Sequence, residues 1–439
     1  MKNPTRSLEE ERNKGEALFA LVKRLYPICR SITGNGVRET LQVIKEIIPI
    51  EVREVPSGTP VLDWNVPDEW NIRNAWIKGP DGRKIVDFQQ SNLHVVSYSV
   101  PFRDTLSLVE LKKHLFSLPD HPHWLPYRTS YYQETWGFCL PHRQLTSLPE
   151  GKYEVCVDST LAPGSLTYGE LLLPGLCADE VLISCHVCHP SLANDNLSGI
   201  AVATFLASQL AQRNRRYSYR FIFIPGTIGS ISWLALNEHN IKNIRHGLIL
   251  AGVGDTGAFH YKKTRNGDAY IDRLMLRVLR QTGRAHQVLD FEPYGYDERQ
   301  FGSPGFNLPV GCLMRTPFGQ YPEYHSSADD LRLVKPESLA DTLDLLEQLV
   351  GTLEGETRYL NLNPRGEPQL GRRGLYDTLG GLSQTKQRQM AMLWLLNFSD
   401  GDHSLEDIAD RSQLPAEELW EVARVLEKNG LLKRLSSGG

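Results

Sequence analysis

The 439-residue chain has no long apolar run: none approaches the ~18 residues that a membrane-spanning helix needs, so no membrane partner is expected. Residues Met1 to Arg12 are polar and contain no apolar signal-peptide segment. Cysteine is sparse. Its seven residues are scattered and odd in number, which argues against a disulfide framework and for a reduced, cytoplasmic setting. Cys185 and Cys188 form a lone C-x-x-C, and two thiolates cannot close a tetrahedral zinc shell. A charge bias is also lacking. The net charge of -4 offers no electrostatic basis for binding nucleic acid or an anionic membrane. There is no internal repeat and no low-complexity tract, which argues against solenoid and disordered classes.

What is present is the composition of a soluble globular protein, with 41% hydrophobic and 23% charged residues. The length exceeds one typical core, so two or three domains are expected. From Tyr153 to about Leu353, apolar runs alternate with helical stretches. Val181–Ser184, Arg220–Ile224 and Gly247–Ala251 read as buried strands, and 198–213, 230–240 and 270–282 as helices. This is the pattern of an α/β sheet covered on both faces. Residues 8–30 read as an amphipathic helix. Between Glu51 and about His123, short alternating stretches lie among Pro, Gly and Asp turns, the texture of an inserted β-rich module. The aromatics crowded into residues 124–138 read as core or as pocket wall, with core the first expectation.

The tail reads as helix, short helix, helix. A capping Ser404 opens the second, Pro415 starts the third, Gly430 stops it, and Leu431–Leu435 follows as a wing strand. This resembles a winged helix. Its third helix carries Glu417, Glu418, Glu421 and Glu427 against Arg424 and Lys428, and phosphates would repel it. Docking or self-association into a homo-oligomer is therefore expected rather than nucleic-acid binding.

The chemistry concentrates in Ser184–Gly199, between a buried strand and a helix. His186 and Asp195 stand where an open α/β sheet gathers ligands, and imidazole with carboxylate is a zinc-binding pair. Asp255, after the strand 247–251, and His325, in a polar loop, are placed to reach the same sheet edge. Asp195 suits a bridge between metals, since Asn194 and Asn196 flank it.

The order His186, Asn194-Asp195-Asn196-Leu197-Ser198-Gly199, Asp255, His325 resembles the di-zinc aminopeptidases of the bacterial leucyl aminopeptidase and glutamate carboxypeptidase type. The whole chain resembles one branch still more: bacterial aminopeptidase-like proteins with an inserted β domain and a C-terminal winged helix, often linked to polysaccharide or natural-product biosynthesis. The stretches Asp120–Ser130, His189–Gly199 and Tyr296–Pro309 carry that likeness. The resemblance implies a three-layer core with a mixed, mostly parallel sheet from residues 1–50 and 124–360. It places an inserted β domain at 51–123 and the winged helix at 375–439. It implies one or two Zn2+ ions, with His186 and His325 binding one each, Asp195 bridging and Asp255 terminal. A peptide-like or other small amide substrate follows. Arg315, Tyr321 and Tyr324 are candidates to grip its carboxylate or an oxyanion.

The family pattern has paired glutamates after the strand Phe221–Ile224, and Pro225-Gly226-Thr227 stands there instead. Cys188 replaces an aspartate. Glu298, or its neighbour Asp297, is the expected substitute as base or ligand, and His189 is an alternative third imidazole. The hydrolase reading therefore competes with amide-forming or group-transfer chemistry, of which glutaminyl-cyclase-like chemistry is one variant, and with a metal-binding scaffold.

Overall fold

The computed structural model of the chain describes residues 8–355, 357–375 and 383–435. An eight-stranded mixed sheet forms its centre. In chain order the strands are β1 (Glu51–Pro56), β2 (Ser165–Leu173), β3 (Glu180–His186), β4 (Ser218–Ile224), β5 (Ile244–Leu250), β6 (Phe259–Lys262), β7 (His286–Leu289) and β8 (Val310–Met314). Their spatial order is β1-β2-β4-β3-β5-β8-β6-β7. The four central strands β4, β3, β5 and β8 are parallel. Strands β1 and β2 extend one side antiparallel, and β6 joins β8 antiparallel on the other.

Every residue of β3 and β4 is buried. That follows from cover on both faces, which lets a strand be apolar without alternation. Val181, Ile183, Tyr219 and Phe221 join one core cluster with residues of helices Leu8–Leu25, Gly199–Ala211, Tyr270–Thr282 and Pro336–Gly355. Leu182, Ile222 and Ile224 face the other way, into a cluster with Trp233 of helix Ile228–Asn237 and Phe301. The result is a three-layer α/β/α core. Because β3, β4 and β5 run parallel, their C-terminal ends open on one edge, where His186 stands.

A four-stranded antiparallel sheet, in the order Lys84–Asp87, Glu69–Lys78, Lys152–Ala162, Phe102–Ser107, forms the smaller module. Its membership departs from the expected 51–123 span at both ends. Glu51–Pro56, expected inside the module, is the edge strand of the large sheet. Lys152–Ala162, expected in the core, is central to the small one. Its residues Tyr153, Val155 and Val157 alternate with polar positions, the period of a strand buried on one face.

At the C-terminus, helices Ser383–Phe398, Leu405–Ser412 and Ala416–Lys428 pack around Leu395, Ile408, Leu419, Val422 and Leu426. Strand Arg358–Asn361 pairs antiparallel with both Asp400–Ser404 and Leu432–Leu435. This winged helix therefore reaches back to Arg358, before the Pro- and Gly-rich stretch 361–368. Among the described residues, no helix is long and apolar enough to cross a membrane.

The module docks on the core through Arg277. Its Nη2 donates to Asp407 Oδ1 at 2.8 Å and its Nε to Asp410 Oδ2 at 3.1 Å. Asp407 also closes the capping box of its own helix with Ser404. Arg277→Met should leave this buried carboxylate short of a partner and weaken docking by about 3 kcal/mol. The expected result is an earlier urea transition for the C-terminal module. A wild-type curve would mean that apolar contacts alone hold it.

Candidate metal centre

The turn Ala193–Ser198 carries the chain from the edge of the sheet into helix Gly199–Ala211, and all six of its residues are buried. Its polar residues hold the turn in place. The backbone N–H groups of Asn194 and Asp195 donate to the two oxygens of Asp329, at 2.6 and 3.0 Å. The Asn194 side chain donates to Asp255 at 2.9 Å and accepts from the Gly254 amide at 2.8 Å. Asn196 Nδ2 donates to the Leu250 carbonyl at 2.8 Å, tying the turn to the end of β5. Ser198 Oγ donates to the Asn194 carbonyl and accepts from the Val253 amide. At Gly199 a Cβ would lie 2.5 Å from that same Leu250 carbonyl, so only glycine starts the helix this close to β5.

That leaves the Asp195 side chain to face the histidines. Its Oδ1 lies 2.8 Å from His186 Nε2, and its Oδ2 lies 3.0 Å from His325 Nε2 and 3.8 Å from His189 Nε2. The ligating atoms of His186, His189 and Asp195 all fall within 4.8 Å of one another. Zinc bonds of 2.0–2.2 Å set tetrahedral ligand atoms roughly 3.3 Å apart, so these residues fit a zinc ion after small adjustment. Burial would raise the pKa of Asp195, but His189 and His186 beside it hold it well below the usual carboxylate range. Burial pushes His189 well below the usual imidazole value, which keeps it in the neutral form that binds metals.

Aromatic rings fix the imidazoles. Tyr296 stacks on His186 at 5.1 Å and Tyr324 on His325 at 4.0 Å. Tyr127 meets His325 edge-on, and its amide donates to the His325 carbonyl at 2.8 Å. His325 itself takes a left-handed backbone, φ +53°.

A cavity of about 260 Å³ opens on the three histidines and is closed by Tyr131, Tyr296, Asp297 and Tyr324, among others. Thr227, also in its wall, has φ +61° and donates its amide to Asp297 Oδ1 at 2.7 Å. Burial raises the pKa of Asp297. The Cys188 thiol is pushed up to about 12 by burial, so it stands in the wall as a neutral group. A Cβ at Gly226 would meet only Cys188 Sγ at 3.4 Å and His186 Cβ at 3.7 Å, so this position leaves open space beside the first histidine.

Residues 19–356 match the family model described as "Domain of unknown function (DUF4910)", and residues 357–434 match a winged helix-turn-helix model. A relative from Clostridium acetobutylicum is 47% identical over 99% of this chain and 100% of its own length. It is described as "Putative polysaccharide biosynthesis protein with aminopeptidase-like domain". The chain belongs to this aminopeptidase-like family. A crystal structure of a "putative peptidase" from the same organism has a TM-score of 0.83 at 46% identity, covering 97% of this chain and 98% of that one. BSAP, a zinc aminopeptidase from Bacillus subtilis, shares the fold with a TM-score of 0.56 at 15% identity, over 77% of this chain and 95% of its own. A Peptidase M28 precursor from Shewanella amazonensis does so at 0.55 and 13%, over 79% and 95%.

In this aminopeptidase-like protein, several residues expected to bind metal, act as base or grip substrate lie elsewhere. Asp255 sits past the left-handed turn at Gly252, and its oxygens accept from Asn194, Thr316 and Gly257. It braces the turn that carries Asp195. Glu298 is fully buried and paired with Lys262, away from the cavity, while Asp297 lines the cavity instead. Arg315 donates to the Gly257 carbonyl and to Asp341 and covers the Phe259 ring, a packing role. Tyr321 packs edge-on against Tyr324 without lining the cavity, and Tyr324 does line it. The crowded aromatics divide: Tyr127 and Tyr131 form the cavity wall, Trp136 is core of the small module, and Tyr132 is exposed.

Asp329→Asn would set an NH2 group against one of the two backbone amides that it now accepts. Zinc affinity should fall by roughly 10–100-fold in a chelator competition. Unchanged affinity would show that the turn holds its shape without Asp329.

Proposed function

We propose that this protein is a zinc-dependent enzyme of aminopeptidase type. It would act on an amide or peptide-like bond of a small substrate within polysaccharide biosynthesis, the context that the Clostridium acetobutylicum relative's description names. The observation that carries this reading is the buried Asp195 carboxylate set among three imidazoles that open on the cavity. His186, His189 and Asp195 would hold the zinc ion, with His325 on the second oxygen of Asp195. Bound zinc would polarise a scissile carbonyl and acidify a water molecule.

The rest falls to the chain's own side chains. Asp297 would act as proton acceptor and donor in place of the missing glutamate, because it lines the cavity and its buried carboxyl has a raised pKa. The Thr227 amide fixes the orientation of that carboxyl through Oδ1. Tyr296 and Tyr324 hold His186 and His325 by stacking and exclude water. The cavity volume of about 260 Å³ suits a small head group better than a folded polypeptide.

One observation favours a second reading. Pro225 and Gly226 leave no carboxylate where β4 ends, so amide-forming or transfer chemistry, or a metal-binding scaffold, stands as the alternative.

Elemental analysis of the purified protein should give at least one zinc per chain, falling by about one equivalent in His186→Ala. Against a panel of aminoacyl-amidomethylcoumarins, Asp297→Asn should keep its zinc and lose roughly 10²–10⁴-fold in kcat. Zinc without hydrolysis would favour the second reading. No zinc after incubation with the metal would sink the enzyme reading.

A further inference from the structure

A second concavity, of about 720 Å³, lies where the winged helix meets the core, at the opposite end of the sheet from the metal centre. His246 of β5 pairs in register with Val181 of the neighbouring β3, five residues before His186. That places the two sites roughly 16 Å apart along the strands.

Three side chains in its wall are at least nine-tenths buried and lack hydrogen-bond partners. The Nε and Nη2 of Arg358, both ring nitrogens of His246 and the hydroxyl of Tyr270 have none among the described residues. Nε and Nη2 form one edge of the guanidinium, the edge that grips an oxyanion through two parallel hydrogen bonds. Arg358 lies over the Tyr270 ring at 4.2 Å, and His246 packs on the same ring at 5.0 Å, so the three form one cluster. A charge and two polar groups shut from water without acceptors are costly to keep, so an acceptor is what the cluster lacks.

The surrounding charge indicates its nature. Five cationic side chains line the cavity against three carboxylates. Arg245 is answered by Asp179, Arg273 by Asp407 and Asp268, and Arg411 more distantly by the same Asp268 at 4.0 Å. Arg358 forms no ion pair among the described residues. This surplus suits a dianionic phosphate better than a single carboxylate. Burial, and after it the neighbouring arginines, push the pKa of His246 well down, as expected for a site short of negative charge.

We infer that this cleft binds a phosphate-bearing small molecule, held by Arg358, His246 and Tyr270. Arg358 belongs to the winged helix, and His246 and Tyr270 to the core. The ligand would therefore clamp the two together.

The test uses the full chain at constant ionic strength set with chloride. Inorganic pyrophosphate and ADP are each titrated by calorimetry and by thermal shift. At least one should bind and raise Tm in a concentration-dependent way. Arg358→Met should weaken that binding at least tenfold while leaving the ligand-free Tm equal or higher, because it removes an unpaired buried charge. Arg358→Lys keeps the charge without the two-pronged edge and should also bind more weakly. Binding of neither probe at millimolar concentration would overturn the proposal, as would equal binding by a folded Arg358→Met protein.

Discussion

Asp195 is a carboxylate with no exposed surface, and a charge at that depth survives only with opposite charge and donors around it. Three imidazoles supply the side-chain half of that requirement. The backbone half comes from Asp329, which fixes the amides of Asn194 and Asp195 so that the carboxylate can point only one way. Further out, Asp255 orients Asn194, and Asn196 ties the turn to β5. The parallel strands, the helix starting at Gly199 and the loop carrying His325 are thus all registered against one side chain.

The strands of the core were readable because parallel strands buried on both faces are almost uniformly apolar, and the residues after them stand at a predictable sheet edge. His186, Asp195 and His325 could be singled out on that ground, and the structure brings them together. Side-chain direction beyond the strand ends was not readable. Asp297 and Glu298 open a single turn of helix, where successive side chains diverge by about 100°, so one lines the cavity and the other meets Lys262. Asp255 was displaced by a turn at Gly252, and the glycines around Asp255 fit such a turn as well as they fit a ligand loop. Arg315 has the chemistry of an anion-binding residue, yet Asp341 and the Gly257 carbonyl already engage it. Tyr127 and Tyr131 were hidden in a run of aromatics whose composition is the same for core and pocket wall. The module boundaries slipped for a similar reason, since β pairing between distant strands leaves no local mark.

The two ends of the sheet carry different electrostatics. At the C-terminal ends of the strands, the Asp195 carboxylate faces three imidazoles that open on a cavity. At the other end, arginines from two domains converge around His246. A parallel sheet permits this division because loops of one kind leave one edge and loops of the other kind leave the opposite edge, so the two sites need share no residue.

The cavity wall draws on Ile32, Tyr127, His186, Thr227, Asp297 and His325, which come from widely separated parts of the chain. Such contacts close large loops, and closing them is entropically unfavourable until most of the core is in place. A centre built from such distant residues is unfavourable to form in a partly folded chain. A chain cut short before His325 would keep His186, His189 and Asp195 but lose the imidazole on the second oxygen of Asp195 and part of the cavity wall. About three quarters of the chain must therefore be made before the last residue of this centre is present.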